Sequence, residues 1–269
     1  MTIPLEGAEA ANKKARRQAL LLQEIEQRHY VSIEEITRRY SVTTQTARRD
    51  IMALEEQGKV RRLHGGVALA VPLDPGTYRR RRTDQAAEKA GIAAVVASLI
   101  PDGATLFLDT GTTCEAIARA LLAKERLRIV TYSLRVAALI SEHSDFTLAI
   151  PGGFVRPIDG GVSGEDTADF IRRFKFDYAV LSVSGIDDDG DLCDDDHTEV
   201  AIVSAAMKQA AQSILAVDNS KFGKGALVRL GSLRDIDILV TDRAPPVALG
   251  ERLPDLGVAL HLPPQKATA

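Results

Sequence analysis

The chain has 269 residues, 45% of them hydrophobic, which suffices for a small domain plus a larger one with its own core. No apolar run approaches the roughly 18 to 20 residues that cross a bilayer, and the start MTIPLEGAEAANKK has no signal-peptide core, so a cytoplasmic protein without a membrane partner is expected. The net charge of −3 is unevenly spread: residues 1–82 hold 16 Lys/Arg against 10 Asp/Glu and the rest 18 against 27, which suits a nucleic-acid-binding front on a body that phosphates would repel.

Residues 1–11 are small and polar and are expected to be disordered. Asn12 can cap a helix from about Lys13 to Gln27, with Leu21, Leu22 and Ile25 turned inward. Lys13, Lys14, Arg16 and Arg17 near its start either touch phosphates or form a solvated face. Ile33, Ile36 and Tyr40 then share one face of a short helix, Ser41-Val42 make a turn, and Ala47, Ile51 and Leu54 form the stripe of the next helix. This is helix-turn-helix spacing.

Thr43 is placed to cap the second helix through the N–H near Thr46, leaving Thr44, Gln45, Thr46, Arg48 and Arg49 near its outward face. A Gln amide can pair with adenine and an Arg fork with guanine, while Thr and Arg groups hold phosphates. After Gly58, the segment KVRRLHGGV reads as a hairpin whose Arg61, Arg62 and His64 form a basic wing against the backbone of double-stranded DNA. The competing reading is a solvated basic surface on a protein-binding winged helix. The head spans 12–70, and 71–84, with Pro72, Pro75, Gly76 and Arg79 to Arg82, has the composition of a linker.

From 85 to 265 short apolar runs alternate with amphipathic stretches, the pattern of a mostly parallel α/β domain. Strands are expected at Thr105–Leu108, Arg128–Val130, Phe146–Ile150, Tyr178–Val183, Ile214–Val217 and Ile236–Val240. Helices are expected at Glu115–Leu122, Leu134–Ser141, Asp166–Phe174 and Thr198–Ala211.

Small and hydroxylated residues follow the strands, where such sheets bind ligands. Asp109, Thr110, Gly111, Thr112 and Thr113 open a helix and can receive a phosphate on N–H groups and hydroxyls. Tyr132 and Ser133, then Gly152 and Gly153, then the SVSG run ending at Gly185 lie at the same edge. In the carboxylate-rich GIDDDGDLCDDDHTEV, an EF-hand alignment on Gly190 fails at its first and last positions, so no metal is expected. Asp187 and Glu199 are candidates to accept ligand hydroxyls. Lys221 either meets a phosphate or pairs with Asp218. Cys114 and Cys193 lack metal-ligand spacing, and no cofactor is expected.

In order, TARRD, VRRLHGG, LDTGTT, IVTYS, PGGFVRPIDGGVSGE, SVSGIDDDGDL, HTEV, DNSKFGK and VTD run from Thr46 to Asp242, within a likeness that covers about Ala15 to Asp242. With these marks the chain resembles the DeoR family of bacterial transcriptional regulators. The resemblance implies a winged helix-turn-helix followed by a sugar-phosphate-isomerase-like effector domain that, when occupied by a phosphorylated metabolite, releases operator DNA. It implies DNA contacts in Thr43 to Arg49 and the wing, and effector contacts at Asp109 to Thr113, Gly152, Gly153, Gly185, Glu199 and Lys221. It points to a small effector, glycerol 3-phosphate first. Tyr132 departs from the family's usual Asn, and Asp195 from an apolar or aromatic residue. A homo-oligomer, dimer or tetramer, is expected because a single head meets little DNA. An activator, or an isomerase-like enzyme using Asp187, Glu199 and Lys221, are the other readings; the winged helix favours a regulator with no catalytic residues.

Overall fold

The computed structural model describes residues 5–28, 30–63, 66–69, 75–164 and 166–264. Two compact units emerge, Met1–Pro72 with Gly223–Leu227, and Leu73–Phe222 with Val228–Ala269.

In the first unit α1 (Leu5–Arg28) precedes β1 (Tyr30–Ser32), α2 (Ile33–Tyr40), α3 (Thr44–Glu56), β2 (Val60–Leu63) and β3 (Gly66–Leu69). Residues 5–11, expected to be disordered, belong to α1, and Asn12 lies inside that helix instead of capping it. The apolar spacing read from the sequence becomes a small core of Leu21, Ile25, Ile36, Ala47, Ile51 and Leu54, closed by Val31, Val60 and Val67 of the strands.

Local signals fix the helix ends. Ser32 and Glu35 form a reciprocal capping box on α2, with N···O distances of 3.1 and 3.0 Å. The α2 helix stops at Ser41, which takes the left-handed conformation at φ 50°. Buried carboxylates tie the helices together: Asp50 receives Arg17 at 2.6 Å and Gln18 at 3.0 Å, and Glu24 receives Arg39 at 2.7 Å and the Tyr40 hydroxyl at 2.8 Å. Burial and the Glu24 contact push the Tyr40 phenol up to about 12, keeping it a donor. β3 pairs antiparallel with both β2 and β1, the latter a third strand not foreseen. Leu63 pairs with Gly66.

The second unit begins with α4 (Pro75–Thr83) and α5 (Ala86–Leu99). A linker was expected over 71–84, yet Pro75–Thr83 is helical and Tyr78 is buried. Then come β4 (Thr105–Leu108), α6 (Thr112–Leu121), β5 (Arg128–Val130), α7 (Leu134–His143), β6 (Thr147–Ala149), β7 (Phe154–Val155), β8 (Val162–Ser163), α8 (Thr167–Arg172) and β9 (Phe176–Leu181). They are followed by β10 (Gly185–Ile186), β11 (Asp191–Asp194), α9 (His197–Met207), β12 (Ala210–Ala216), β13 (Val228–Ser232), β14 (Ile238–Val240), α10 (Val247–Gly250), α11 (Leu253–Leu256) and β15 (Ala259–His261). The α9 helix ends at Met207 rather than Ala211, because Ala210 to Leu215 pair with β9. Likewise β9 lies two residues before its expected span, Phe176–Leu181 instead of Tyr178–Val183.

Seven parallel strands form the central sheet in the order β15-β14-β12-β9-β4-β5-β6. Side-chain alternation sends successive residues to opposite faces. Leu106, Leu108, Val180, Ile214 and Ala216 pack with α5, α6 and α7. Phe107, Ala179, Leu181, Leu215 and Val217 pack with α8, α9 and the small sheet β10-β11-β13 on the other side. Burial on both faces explains the continuous apolar runs, each fully buried Leu, Ile or Phe contributing roughly 1.5 to 3 kcal/mol. The chain passes from β4 outward through β5 and β6, then returns to place β9 on the other flank of β4. That reversal is a topological switch point at the carboxyl ends of β4 and β9, the place where open α/β sheets bind ligands.

Candidate functional site

On the head, Thr43 accepts from the Thr46 N–H at 3.2 Å, which orders the first turn of α3 as its sequence implied. Thr44, Gln45, Arg48 and Arg49 are exposed there and Thr46 is half-buried. Arg62 sits on the wing strand with its N–H on Glu55 at 2.9 Å and its guanidinium 3.4 Å from the same carboxylate, an exposed pair that water keeps weak. Arg61 is in β2, with its backbone paired to Ala68, and His64 lies outside the described residues.

In the body, Asp109 directly follows β4 and is buried. Its carboxylate accepts the Tyr132 hydroxyl at 2.6 Å, the Thr110 N–H at 2.7 Å and, from β9's end, the Ser182 N–H at 3.2 Å. Tyr132 is held by stacking on Phe107, with ring centroids 6.1 Å apart. Gly111, at φ 108°, turns the chain into α6, and no side chain caps that helix. The first-turn N–H groups of α6 therefore have no N-cap side chain to accept from them. The Thr110 hydroxyl is buried and meets no hydrogen-bond partner among the described residues. Thr113 is also buried, and Thr112 half-buried.

Ser133 caps α7 by accepting from Val136 at 3.3 Å, so its hydroxyl already serves the fold. It also forms a bridge with Gly161, which brings the β7-β8 hairpin to the end of β5. Gly152 and Gly153 lead into that hairpin. Gly153 has φ 145°, and a Cβ there would lie 2.6 Å from the Ser163 carbonyl oxygen. Gly185 is buried at the start of β10, paired with Cys193. Lys221 reaches toward the Ser184 carbonyl at 3.5 Å. These groups share the carboxyl edge of the sheet, as their positions after strands implied.

Two of the candidates have partners within the fold. Asp187 closes the β10-β11 turn, its Oδ1 accepting from Asp189 at 3.0 Å and Asp191 at 2.8 Å, so it is occupied by its own loop. Glu199, in the first turn of α9, forms an ion pair with Arg156, a residue that sequence reasoning did not single out. Arg156 also grips Asp159 through Nε at 2.8 Å and Nη2 at 2.5 Å, and Asp196 through Nη1 at 2.9 Å. One guanidinium therefore serves three carboxylates. The available signal was an Arg and an Asp three apart between two Gly-Gly pairs, in GGFVRPIDGG.

Burial pushes the Asp109 carboxyl up to about 7, against the pull of its three hydrogen bonds. It likewise pushes Asp194 up to about 6, although Asp195 N–H, Ser184 and Lys221 favour its charge. Raised carboxyls hold protons in the fold that the unfolded chain has released, so stability falls as pH rises from about 4 through 6 and 7 and is level beyond. Thermal unfolding between pH 5 and 8 should show this decline. Asp109→Asn should flatten it, and an unchanged slope would show that Asp109 stays ionised.

A model of the DeoR-like helix-turn-helix domain matches residues 17–72, and one of the DeoR C terminal sensor domain matches residues 84–243. The chain belongs to the DeoR family. This DeoR-family chain is 42% identical to the glycerol-3-phosphate regulon repressor of Escherichia coli strain K12, over 93% of its own length and 99% of that protein. It is 42% identical to the Haemophilus influenzae protein of the same name over 87% of this chain and 91% of that one. With the repressor GlcR of Bacillus subtilis it shares 31% identity over 91% of this chain and 94% of that protein. Ribose 5-phosphate isomerase A of Methanocaldococcus jannaschii aligns at a TM-score of 0.38 and 16% identity, over 51% of this chain and 55% of that one, a likeness too low to bear on chemistry. The family's members are transcriptional regulators, and this chain is a DNA-binding regulator rather than an enzyme. Among the described residues no helix is long and apolar enough to cross a membrane.

Proposed function

We propose that this regulator is a cytoplasmic repressor that binds operator DNA through α3 and the wing and leaves it when a small phosphorylated metabolite, glycerol 3-phosphate first, occupies the body. The observation that carries the reading is the α6 start: an uncapped helix end beside a buried, unpartnered Thr110 hydroxyl at the topological switch point. A phosphate dianion on the N–H groups and hydroxyls of Thr110 to Thr113 would gain hydrogen bonds and the helix-end field together. Lys221 would add positive charge, and Glu199, positioned by Arg156 through Oε1, would take ligand hydroxyls on Oε2. Tyr132, filling the end of β5, would leave room for a short carbon chain. The 42% identity to named glycerol-3-phosphate regulon repressors supports that choice of ligand.

Thr110→Val tests the phosphate position. Replacing an unpartnered buried hydroxyl by a methyl group should leave thermal stability unchanged or raised, yet weaken glycerol 3-phosphate binding by about tenfold, because a charge-assisted hydrogen bond is lost. Unaltered affinity in calorimetry would put the phosphate elsewhere. A pentose or hexose phosphate binding in place of glycerol 3-phosphate would change the effector but keep the site.

For the head, Gln45 and Arg48 would read base edges, and Arg49, Arg61 and Arg62 would hold phosphates. Arg48→Ala should cost about 1 to 3 kcal/mol of discrimination between operator and random DNA, whereas Arg62→Ala should lower the log-log salt slope by about one with little change in preference. Equal losses on all sequences for Arg48→Ala would remove it from base reading. One head per chain favours a symmetric homo-oligomer, dimer or tetramer, on a roughly palindromic site.

A further inference from the structure

Asp194 closes β11 beside the link from β9 to β10. Since Gly185 pairs with Cys193, Ser184 comes opposite Asp194, and the Ser184 hydroxyl donates to its Oδ1 at 2.9 Å. The Asp195 N–H donates to the same oxygen at 2.7 Å. Among the described residues Oδ2 meets no hydrogen-bond donor, and it is not sealed from water as the Thr110 hydroxyl is. Asp194 thus has one carboxylate oxygen fixed by the fold and the other open.

The open carboxylate lies beside the phosphate position proposed above. The link that bonds Asp194 at Ser184 also bonds Asp109 through the Ser182 N–H, two residues back and so no more than about 7 Å along the chain. Asp109 in turn accepts from the Thr110 N–H and the Tyr132 hydroxyl. After burial, the charge of Asp194 adds to what holds the Asp109 carboxyl and the Tyr132 phenol up, so the three share one poorly solvated neighbourhood. Against burial, Lys221, whose Nζ approaches the Ser184 carbonyl at 3.5 Å, favours the ionised form of Asp194.

We propose that Asp194 sets the specificity of the effector site: its open oxygen accepts a ligand hydroxyl and its charge turns away phosphorylated acids, so the body selects phosphorylated polyols. The proposal rests on the phosphate reading given above. Glycerol 3-phosphate has two hydroxyls, and Glu199 and Asp194 then take one each. A hydroxyl donating to a carboxylate makes a charge-assisted bond, whereas a ligand carboxylate in that place meets like charge and finds no donor. The N–H groups of the α6 start offset such repulsion for the phosphate alone.

Asp194→Asn keeps the shape of the side chain. The Asp195 N–H and Ser184 hold its carbonyl in the place of Oδ1, which leaves an NH2 group in the place of Oδ2 and turns an acceptor into a donor. In calorimetry of the full-length protein at pH 8, where a carboxyl pushed up to about 6 is ionised, glycerol 3-phosphate affinity should fall about fivefold. Affinity for 3-phosphoglycerate, which bears a carboxylate where glycerol 3-phosphate bears its terminal hydroxyl, should rise by a similar factor. The wild-type protein should prefer the polyol by about tenfold or more. A merely structural change would weaken both ligands or neither, so opposite signs mark the role of Asp194. A fall in both affinities, or no change in either, overturns it. Wild-type protein that binds 3-phosphoglycerate as tightly as glycerol 3-phosphate also overturns it, while leaving the phosphate site in place. Should the wild type bind neither ligand, the glycerol 3-phosphate reading itself has failed, and the role of Asp194 falls with it.

Discussion

Arg156→Met should destabilise the body by about 3 kcal/mol, the cost typical of removing one partner from a largely buried ion pair. The guanidinium is 24% exposed and its partners Asp159 and Glu199 are 10% and 16% exposed, so water can replace little of what is lost. Asp159, Asp196 and Glu199 would then repel one another across the hairpin and the first turn of α9. For a unit of this size the melting temperature should drop by roughly 6 to 12 °C. Adding Glu199→Gln should recover part of that loss, and the double-mutant cycle should return a coupling above about 1 kcal/mol. A melting temperature within a degree or two of wild type would mean that solvent screens the cluster.

Gly153→Ala should abolish the effector response while sparing operator binding. An L residue at φ 145° is strained, and the added Cβ would lie 2.6 Å from the Ser163 oxygen and 2.9 Å from its carbonyl carbon. Backbone cannot step aside as a side-chain tip can, so the base of β7-β8 must separate. Through Arg156 that hairpin sets the position of Glu199, and through Gly161 it meets Ser133. We expect glycerol 3-phosphate affinity to fall more than about tenfold, since misplaced polar groups forfeit their hydrogen bonds. The α3 helix and the wing belong to the other unit, so the operator constant measured without effector should stay near wild type. Normal effector binding by Gly153→Ala would remove the hairpin from the site.

Sequence patterns were sufficient where the relevant physics is local. The Thr43 cap, the Ile33-Ile36-Tyr40 face and the strands β4 and β5 coincide with their expected positions because capping, helical period and short apolar runs all act within a few residues. Long-range partners override such signals elsewhere. The tail of α9 looked helical through Ala211, but pairing of Ala210 with Phe176 makes it strand. Pro75 and Gly76 suggested a linker, although Pro suits the first helical position and one buried Tyr78 holds the turn that follows.

The site shows the same division. The placement of the residues that follow strands was legible from position alone, since every parallel strand delivers its next residue to one edge. The Arg156 cluster was not, because its acceptors Asp196 and Glu199 lie 40 and 43 positions away and only the folded hairpin joins them. Carboxylate density at Asp187 suggested a ligand contact, and its Oδ1 accepts from the N–H groups of Asp189 and Asp191 within its own turn.

Release of operator by effector is tested most directly by measuring one operator's dissociation constant for the full-length protein without and with saturating glycerol 3-phosphate at fixed salt. The account predicts about 5- to 150-fold weaker binding with the effector, and linkage requires operator to weaken effector binding by the same factor. An operator constant unmoved by glycerol 3-phosphate and by pentose and hexose phosphates alike would contradict it.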